Sequence, residues 1–334
     1  MSGIDLTIIW AVIIAFSVMV YVIMDGFDLG IGILFPNFKV GTDRDTAMNS
    51  IAPVWDGNET WLVLGGGGLL AAFPLAYAII LPALYAPLTA MLLGLVLRGV
   101  AFEFRWRNPA HRARWDFAFT MGSVIATFAQ GVTLGALLQG ITVEGRAYAG
   151  GWWEWLTPFS VLTGFALLAG YALLGCCWLI WKTEGSLQRQ CYSYAGRLGI
   201  LLLAAIAAVS AATPFLEAAY YTRWLAYPGI IATAQIPLAT AVVSALFFRS
   251  LSKRKEVAPF VYALGLFGLC LVGLGVSIWP DVIPGRVSIW DAAAPYESQV
   301  FMLVGAAIMV PIILTYTAWS YWVFRGKVDS SGYH

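Results

Sequence analysis

Leu6-Thr7-Ile8-Ile9-Trp10-Ala11-Val12-Ile13-Ile14-Ala15-Phe16-Ser17-Val18-Met19-Val20-Tyr21-Val22-Ile23 contains no charge, no glycine and no proline. An apolar run of this length spans a bilayer core when it is helical. A single segment enters lipid only as a helix, because each backbone amide must be satisfied internally. The run extends to about residue 35, and eight further apolar stretches fall at about 51–73, 77–102, 116–138, 156–181, 196–217, 227–248, 257–279 and 299–324. The division inside 51–102 is placed at Phe73-Pro74, because proline disfavours helical geometry in the residue before it. Pro237 lies in the middle of the seventh stretch.

Composition agrees. Of 334 residues, 60% are hydrophobic and 11% are charged, with a net charge of +1. Soluble domains carry roughly a quarter charged residues, so a soluble enzyme, a nucleic-acid binder and a disordered chain are all excluded. The expected fold is an all-α polytopic membrane protein, one integral membrane domain over 1–334 with about nine transmembrane helices. Residues 1–5 carry no Lys or Arg ahead of the first run, so that run is expected to be a permanent helix rather than a cleaved signal.

Nine passes put the termini on opposite sides. With the odd-numbered connections and the C-terminus on one side, that side holds 16 of the 19 basic residues; Arg146, Arg223 and Arg286 lie on the other. The positive-inside rule makes the richer side cytoplasmic, with the N-terminus periplasmic and the C-terminus cytoplasmic. Trp152, Trp153, Trp155, Trp279, Trp290, Trp319 and Trp322 flank the runs as an interfacial belt. Arg105 to Arg114 reads as a stop-transfer and lipid-headgroup patch.

Cys176, Cys177, Cys191 and Cys270 show no paired spacing and read as packing residues. The two histidines, His111 and His334, both lie outside the apolar runs. Haem ligation in a helical bundle usually needs His, Met or Cys at facing positions, so no haem and no metal is expected in this chain.

The informative residues are acids inside apolar runs. Asp25 and Asp28 lie late in the first run, and Asp56 and Glu59 early in the second. With antiparallel passes, all four fall at a similar depth in the cytoplasmic third. Arg98 and Glu103, at the inner end of the third run, reach the same level. A charge deep in a bilayer costs at least about 2.5 kcal/mol. The i, i+3 spacing places each acidic pair on one helix face. Three readings fit: a proton relay; an interhelical network in which Arg98, Asn58, Thr60 and the indole N–H groups of residues such as Trp55 satisfy the acids; and a cation site. Glycines Gly26, Gly30, Gly32, Gly57 and Gly65 to Gly68 allow close helix approach.

Asp25-Gly26-Phe27-Asp28-Leu29-Gly30-Ile31-Gly32, Asn49-Ser50-Ile51-Ala52-Pro53, Trp55-Asp56-Gly57-Asn58, Trp61-Leu62 and Gly66-Gly67 through Ala71-Ala72-Phe73-Pro74 resemble subunit II of the cytochrome bd-type quinol oxidases. Arg98-Gly99-Val100-Ala101-Phe102-Glu103-Phe104-Arg105 and Val310-Pro311-Ile312-Ile313-Leu314, followed by Tyr316-Thr317-Ala318-Trp319, extend the resemblance to about residue 322. The stretch from about 140 to 280 is similar mainly in hydropathy, and the short loops look more like the cyanide-insensitive branch.

The resemblance implies a bacterial inner-membrane complex that oxidises quinol and reduces dioxygen to water with protons from the cytoplasm. A partner subunit I carries haem b, haem d and the quinol site. The family also admits a small accessory subunit and a structural quinone or lipid in subunit II. The family's aspartate implicated in proton uptake falls on Asp56; Asp25 and Asp28 match the motif as well, while Glu59 stands where some members have glutamine. The alternative from a different class is a stand-alone ion-coupled secondary transporter, with Asp25, Asp28, Asp56 and Glu59 binding the ion. Such folds often show internal repeats and broken midplane helices; no clear repeat is visible here.

Overall fold

The computed structural model describes residues 5–328. Helix α1 (Leu6–Leu34) starts at Asp5, whose carboxylate accepts the Thr7 N–H at 2.9 Å, the usual way of satisfying a free amide in the first turn. A short helix α2 (Thr42–Asn49) and a turn lead into α3 (Trp55–Ala72). The chain then breaks at Phe73. The helix α4 (Pro74–Ala83) leaves α3 at 119°. Proline tolerates the first turn of a helix but disfavours a helical residue before it, so Phe73-Pro74 ends one helix and begins another. The apolar stretch expected as one pass at 77–102 is therefore two elements: α4, and α5 (Tyr85–Arg107), which alone has the length to cross.

Helices α6 (Arg112–Leu138), α7 (Pro158–Lys182) and α8 (Gly185–Ala212) follow. Only Thr183 and Glu184 separate α7 from α8, so α8 begins well before the apolar stretch expected from about 196. Two short helices, α9 (Ala218–Trp224) and α10 (Gly229–Thr233), precede α11 (Gln235–Ser252). Pro237 sits in the first turn of α11, where a missing N–H costs nothing. Helix α12 (Ala258–Ile278), a four-residue α13 (Ile289–Ala292) and α14 (Tyr296–Val323) complete the helices. Two small hairpins pair β1 (Val143–Glu144) with β2 (Ala147–Tyr148) and β3 (Asp281–Ile283) with β4 (Val287–Ser288).

Among the described residues eight helices are long and apolar enough to cross a membrane, and the bent α3–α4 pair gives a ninth candidate span. Successive passes run antiparallel. One end gathers Asn37 with Gln190, Arg44 with Asp116, Lys182 with Phe324, and Gln188 with Glu256. The opposite end gathers Asp5 with Trp290, Trp10 with Gln299, Ala72 with Ala294, and Leu138 with Tyr220. The first of these carries most of the basic residues and is called the basic end below.

The core lies where α1, α6 and α7 meet. From Asp25 to Gly32 every residue of α1 is buried, whereas its first half is partly exposed. The close crossing depends on glycine. A Cβ on Gly30 would overlap the Tyr171 carbonyl oxygen, and one on Gly175 would lie 2.6 Å from the Gly30 carbonyl carbon. Where Gly57, Gly66 and Gly67 stand, by contrast, a Cβ would meet nothing within 4 Å. Of these five glycines, only Gly30 and Gly175 therefore serve packing inside this chain. Helix α14 buries only Gln299. Trp152, Trp153, Trp279, Trp290, Trp319 and Trp322 are exposed, as an interfacial belt requires.

Candidate functional site

Two adjoining helix faces build the site. Asp25 and Asp28 lie one turn apart on the buried half of α1. Asn58 and Glu59 follow in the first two turns of α3, and Arg98 reaches in from α5. Gly122 lets α6 close on α5 beside that arginine: a Cβ there would lie 2.7 Å from the Arg98 nitrogen.

Arg98 is the centre. Its Nη1 lies 2.7 Å from Glu59 Oε1 and 3.1 Å from Asp25 Oδ1, and its Nη2 lies 3.6 Å from Asp28 Oδ2. Asp25, Asp28 and Arg98 have no exposed side-chain area, while Glu59 keeps 30%. The Trp55 ring covers the guanidinium with its centroid 5.8 Å away, a favourable contact for a desolvated cation. Asn58 Nδ2 donates to Asp28 Oδ2 at 2.7 Å, and the Tyr321 hydroxyl donates to Asn58 Oδ1 at 2.9 Å. Four buried atoms, Asp25 Oδ2, Asp28 Oδ1, Arg98 Nε and Arg98 Nη2, have no hydrogen-bond partner. The cluster therefore retains both accepting and donating capacity.

A second chain of hydrogen bonds lies beside Asp25, towards the middle of the bundle. The Tyr21 hydroxyl lies against Asp25, Gln130 Nε2 donates to Tyr21 Oη at 2.6 Å, and Tyr171 donates to Gln130 Oε1 at 2.9 Å. Gln130 carries the signal that sequence reading passed over, a lone amide between Ala129 and Gly131 inside an apolar run. Tyr21, Tyr171 and Tyr321 carried no such signal, since tyrosines are common in apolar runs.

Two expected members stand apart. Asp56 is exposed in the first turn of α3, although close enough to Glu59 to interact with it electrostatically. Glu103 is exposed and faces Arg107 at 3.8 Å. The spacing that puts Asp56 and Glu59 on one face is real, but that face turns only Glu59 towards Arg98. Glu103 lies five residues beyond Arg98, more than a full turn, and so points away.

The arginines read as a headgroup patch include two with another task. Arg105 is buried. It holds Asp116 Oδ1 through Nε at 2.5 Å and Asp45 Oδ1 through Nη1 at 2.7 Å. Arg44 takes Asp116 Oδ2 at 2.7 Å, and Arg112 approaches Asp45 at 3.5 Å. Together they pin α2 across the ends of α5 and α6. Asp45 and Asp116 lie outside any motif, so this pentad emerges only when the helices are assembled. Arg107 remains exposed.

Cys176, Cys177, Cys191 and Cys270 are free thiols. Among the described residues no group of three or more His, Cys, Asp or Glu could hold a metal ion. The carboxylates converge on a guanidinium instead.

The architecture and this buried acid–arginine centre define a polytopic helical membrane protein with an ionisable site inside the span. Residues 6–324 match the family described as cytochrome bd terminal oxidase subunit II, and the chain belongs to it. A probable cytochrome oxidase subunit 2 of Haemophilus influenzae is 31% identical, covering 98% of this chain and 96% of that protein. Subunit 2 of the cytochrome bd-I ubiquinol oxidase of Escherichia coli is 27% identical over 97% of this chain and 95% of its own length. Subunit 2 of the cytochrome bd ubiquinol oxidase of Bacillus subtilis is 28% identical, covering 96% of each. A chain of the bd oxidase structure from Geobacillus thermodenitrificans has the same fold, with a TM-score of 0.72 and 15% identity over 96% of this chain and 99% of that one. The chain is thus a multi-pass protein of the bacterial inner membrane and the second subunit of an oxidase complex.

Proposed function

We propose that this chain is the haem-free subunit II of a quinol:oxygen oxidoreductase, a single membrane domain that supports a haem-bearing subunit I and conducts protons to it. In this reading haem b, haem d and quinol oxidation belong to the partner. The basic end faces the cytoplasm, as the distribution of Lys and Arg requires, and protons for the reduction of dioxygen to water are drawn from there.

One observation carries the reading: three carboxylates surround one guanidinium at the basic end, and only Glu59 among them is partly exposed. The acids outnumber the cation, so the cluster has room to accept protons without losing its counter-charge. Asp56, one turn away and exposed, collects protons; Glu59 passes them to Asp25 and Asp28, while Arg98, always protonated, supplies the counter-charge. Positioned acid–base groups of this kind typically contribute about 10²–10⁴-fold to a proton-limited step. A transporter's coupling ion would need the carboxylate oxygens to converge on a cavity, and here they converge on Arg98.

The experiment is Asp56→Asn and Glu59→Gln in the intact complex, with the haem spectrum as the assembly control. Oxygen consumption is expected to fall at least about tenfold with spectra unchanged. Unaltered turnover across pH in both variants would leave an assembly scaffold with inert acids.

A further inference from the structure

At the basic end two lysines exchange grips. Lys182 Nζ, at the last residue of α7, donates to the carbonyls of Phe324 at 2.5 Å and Gly326 at 3.2 Å, just past α14. Lys327 Nζ donates back to the carbonyls of Thr183 at 3.1 Å and Ile180 at 3.5 Å, and pairs with Glu256 at 2.8 Å. The Val328 N–H donates to the Lys182 carbonyl at 2.9 Å. The carbonyls at the end of α7 have no helical partner, so an ammonium is well placed there. Residues 324–328 thus form a strap across the end of α7.

Beneath the strap lies a cavity of about 220 Å³, lined among others by Asn49, Ser50, Lys182, Tyr321 and Lys327. At about 30 Å³ per water this space suits several molecules, which Asn49, Ser50, Lys182, Tyr321 and Lys327 in its largely apolar lining can bind. Asn49 Oδ1 is buried without a hydrogen-bond partner. The far wall is rigid, because the Arg105–Asp45 and Arg105–Asp116 pairs fix α2 immediately before Asn49. The near wall is the strap, held by the two lysines and the Val328 N–H. On its inner side the cavity ends at Tyr321, whose hydroxyl donates to Asn58, which in turn donates to Asp28.

We propose that this cavity is a cytoplasmic water vestibule giving a second approach to the buried acids, and that the strap 324–328 is its cover, latched by Lys182 and Lys327. Its role rests on the proton-uptake reading above; its geometry does not. An amide passes no protons, so Asn58 orients Asp28. Water moving past Tyr321 to Asp28 Oδ1, which has no protein partner, is the conducting element.

The test uses the whole complex in inside-out membrane vesicles. Cys270→Ala removes the one exposed thiol, the other three cysteines being buried. Ser50→Cys is then probed with a membrane-impermeant methanethiosulfonate ammonium reagent. Labelling is expected to be slow with the strap latched and about tenfold faster with Lys327→Ala, since hydrogen bonds to a charged donor are the strong class. Labelled Ser50→Cys complex is expected to consume oxygen at least about threefold more slowly than unlabelled complex. If Lys327→Ala lowers the yield of complex, Glu256→Gln loosens the latch without touching α7 and must accelerate labelling too. Equal labelling rates with and without the latch, no labelling, or labelling only from the opposite face overturns the proposal, as does undiminished oxygen consumption after labelling. Asp56→Asn tests the relay separately, so failure of the vestibule is distinguishable from failure of the relay.

Discussion

Arg98 Nη1 stands 3.1 Å from Asp25 Oδ1, and neither side chain has any exposed area. Two opposite charges in a low-dielectric interior lose most of their hydration, and their attraction roughly offsets that loss only while both are present. Removing one partner leaves the other buried and unpaired. Arg98→Leu would strand Asp25, Asp28 and Glu59 together and is expected to cost about 3–5 kcal/mol. The yield of haem-containing complex, measured as haem per membrane protein, should drop at least about tenfold. Arg98→Lys keeps the charge but loses the fork that reaches three acids, and should restore part of the yield.

The crossing of α1 and α7 makes a steric prediction. A methyl on Gly30 would overlap the Tyr171 carbonyl oxygen and lie 2.9 Å from the Gly175 nitrogen. Backbone cannot yield as a side chain can, so Gly30→Ala is expected to cost about 1–3 kcal/mol and to lower the thermal midpoint of the purified complex. Gly67→Ala meets nothing inside this chain. A loss of stability in that variant, with normal helicity, would mark α3 as a surface covered by the partner subunit.

Gln130 ties the hydroxyls of Tyr21 and Tyr171 together. Gln130→Leu would leave both hydroxyls short of a partner, at about 1–3 kcal/mol for each buried group left unsatisfied. Gln130→Glu keeps an acceptor for Tyr171. Differential scanning fluorimetry on the two complexes should place the Leu variant below the Glu variant. The reverse order would mean that the chain of hydrogen bonds contributes little.

The latch on the strap depends on pH in a known direction. The Lys327 ammonium, and after it the Gln188 amide, hold the Glu256 carboxyl below its ordinary value of 4.5. A carboxylate whose value is lower in the folded state contributes fully above the unfolded value and loses that contribution as pH falls through the lowered one. Exchange of the Val328 amide, which donates to the Lys182 carbonyl, is therefore expected to stay protected above pH 4.5 and to lose protection below it. Glu256→Gln should abolish the acid transition. Protection unchanged below pH 4.5 would mean that the lysine–carbonyl bonds hold the strap without Glu256.

Along the chain, hydropathy and the chemistry of single residues were legible. The long apolar runs became helices, although the run expected at 77–102 divided between α4 and α5, and Phe73-Pro74 became a break, because the need to satisfy backbone amides in lipid acts on each segment by itself. Asp25, Asp28, Glu59, Asn58, Arg98 and Trp55 were recognisable because charge inside an apolar run is costly, and costly residues seldom stand unpartnered. Their partners were harder to find. Asp56 and Glu59 share one helix face by spacing, yet only Glu59 reaches Arg98. Glu103 looked equivalent to its neighbours but turns outward to Arg107. Arg105 looked like a surface residue and is buried on two aspartates.

Sequence by itself determined that this protein is a multi-pass helical bundle of the oxidase subunit II family, with acids set near one end of its spans. Only the tertiary structure decided which acids share a guanidinium, which tyrosines and amides orient them, and that residues 324–328 border a cavity beside them. The cost of burying apolar surface and backbone amides is paid segment by segment, so composition and order reveal it. Lateral contacts depend on how far each helix is rotated and how closely a glycine lets its neighbour approach, and those quantities exist only once the helices are packed together.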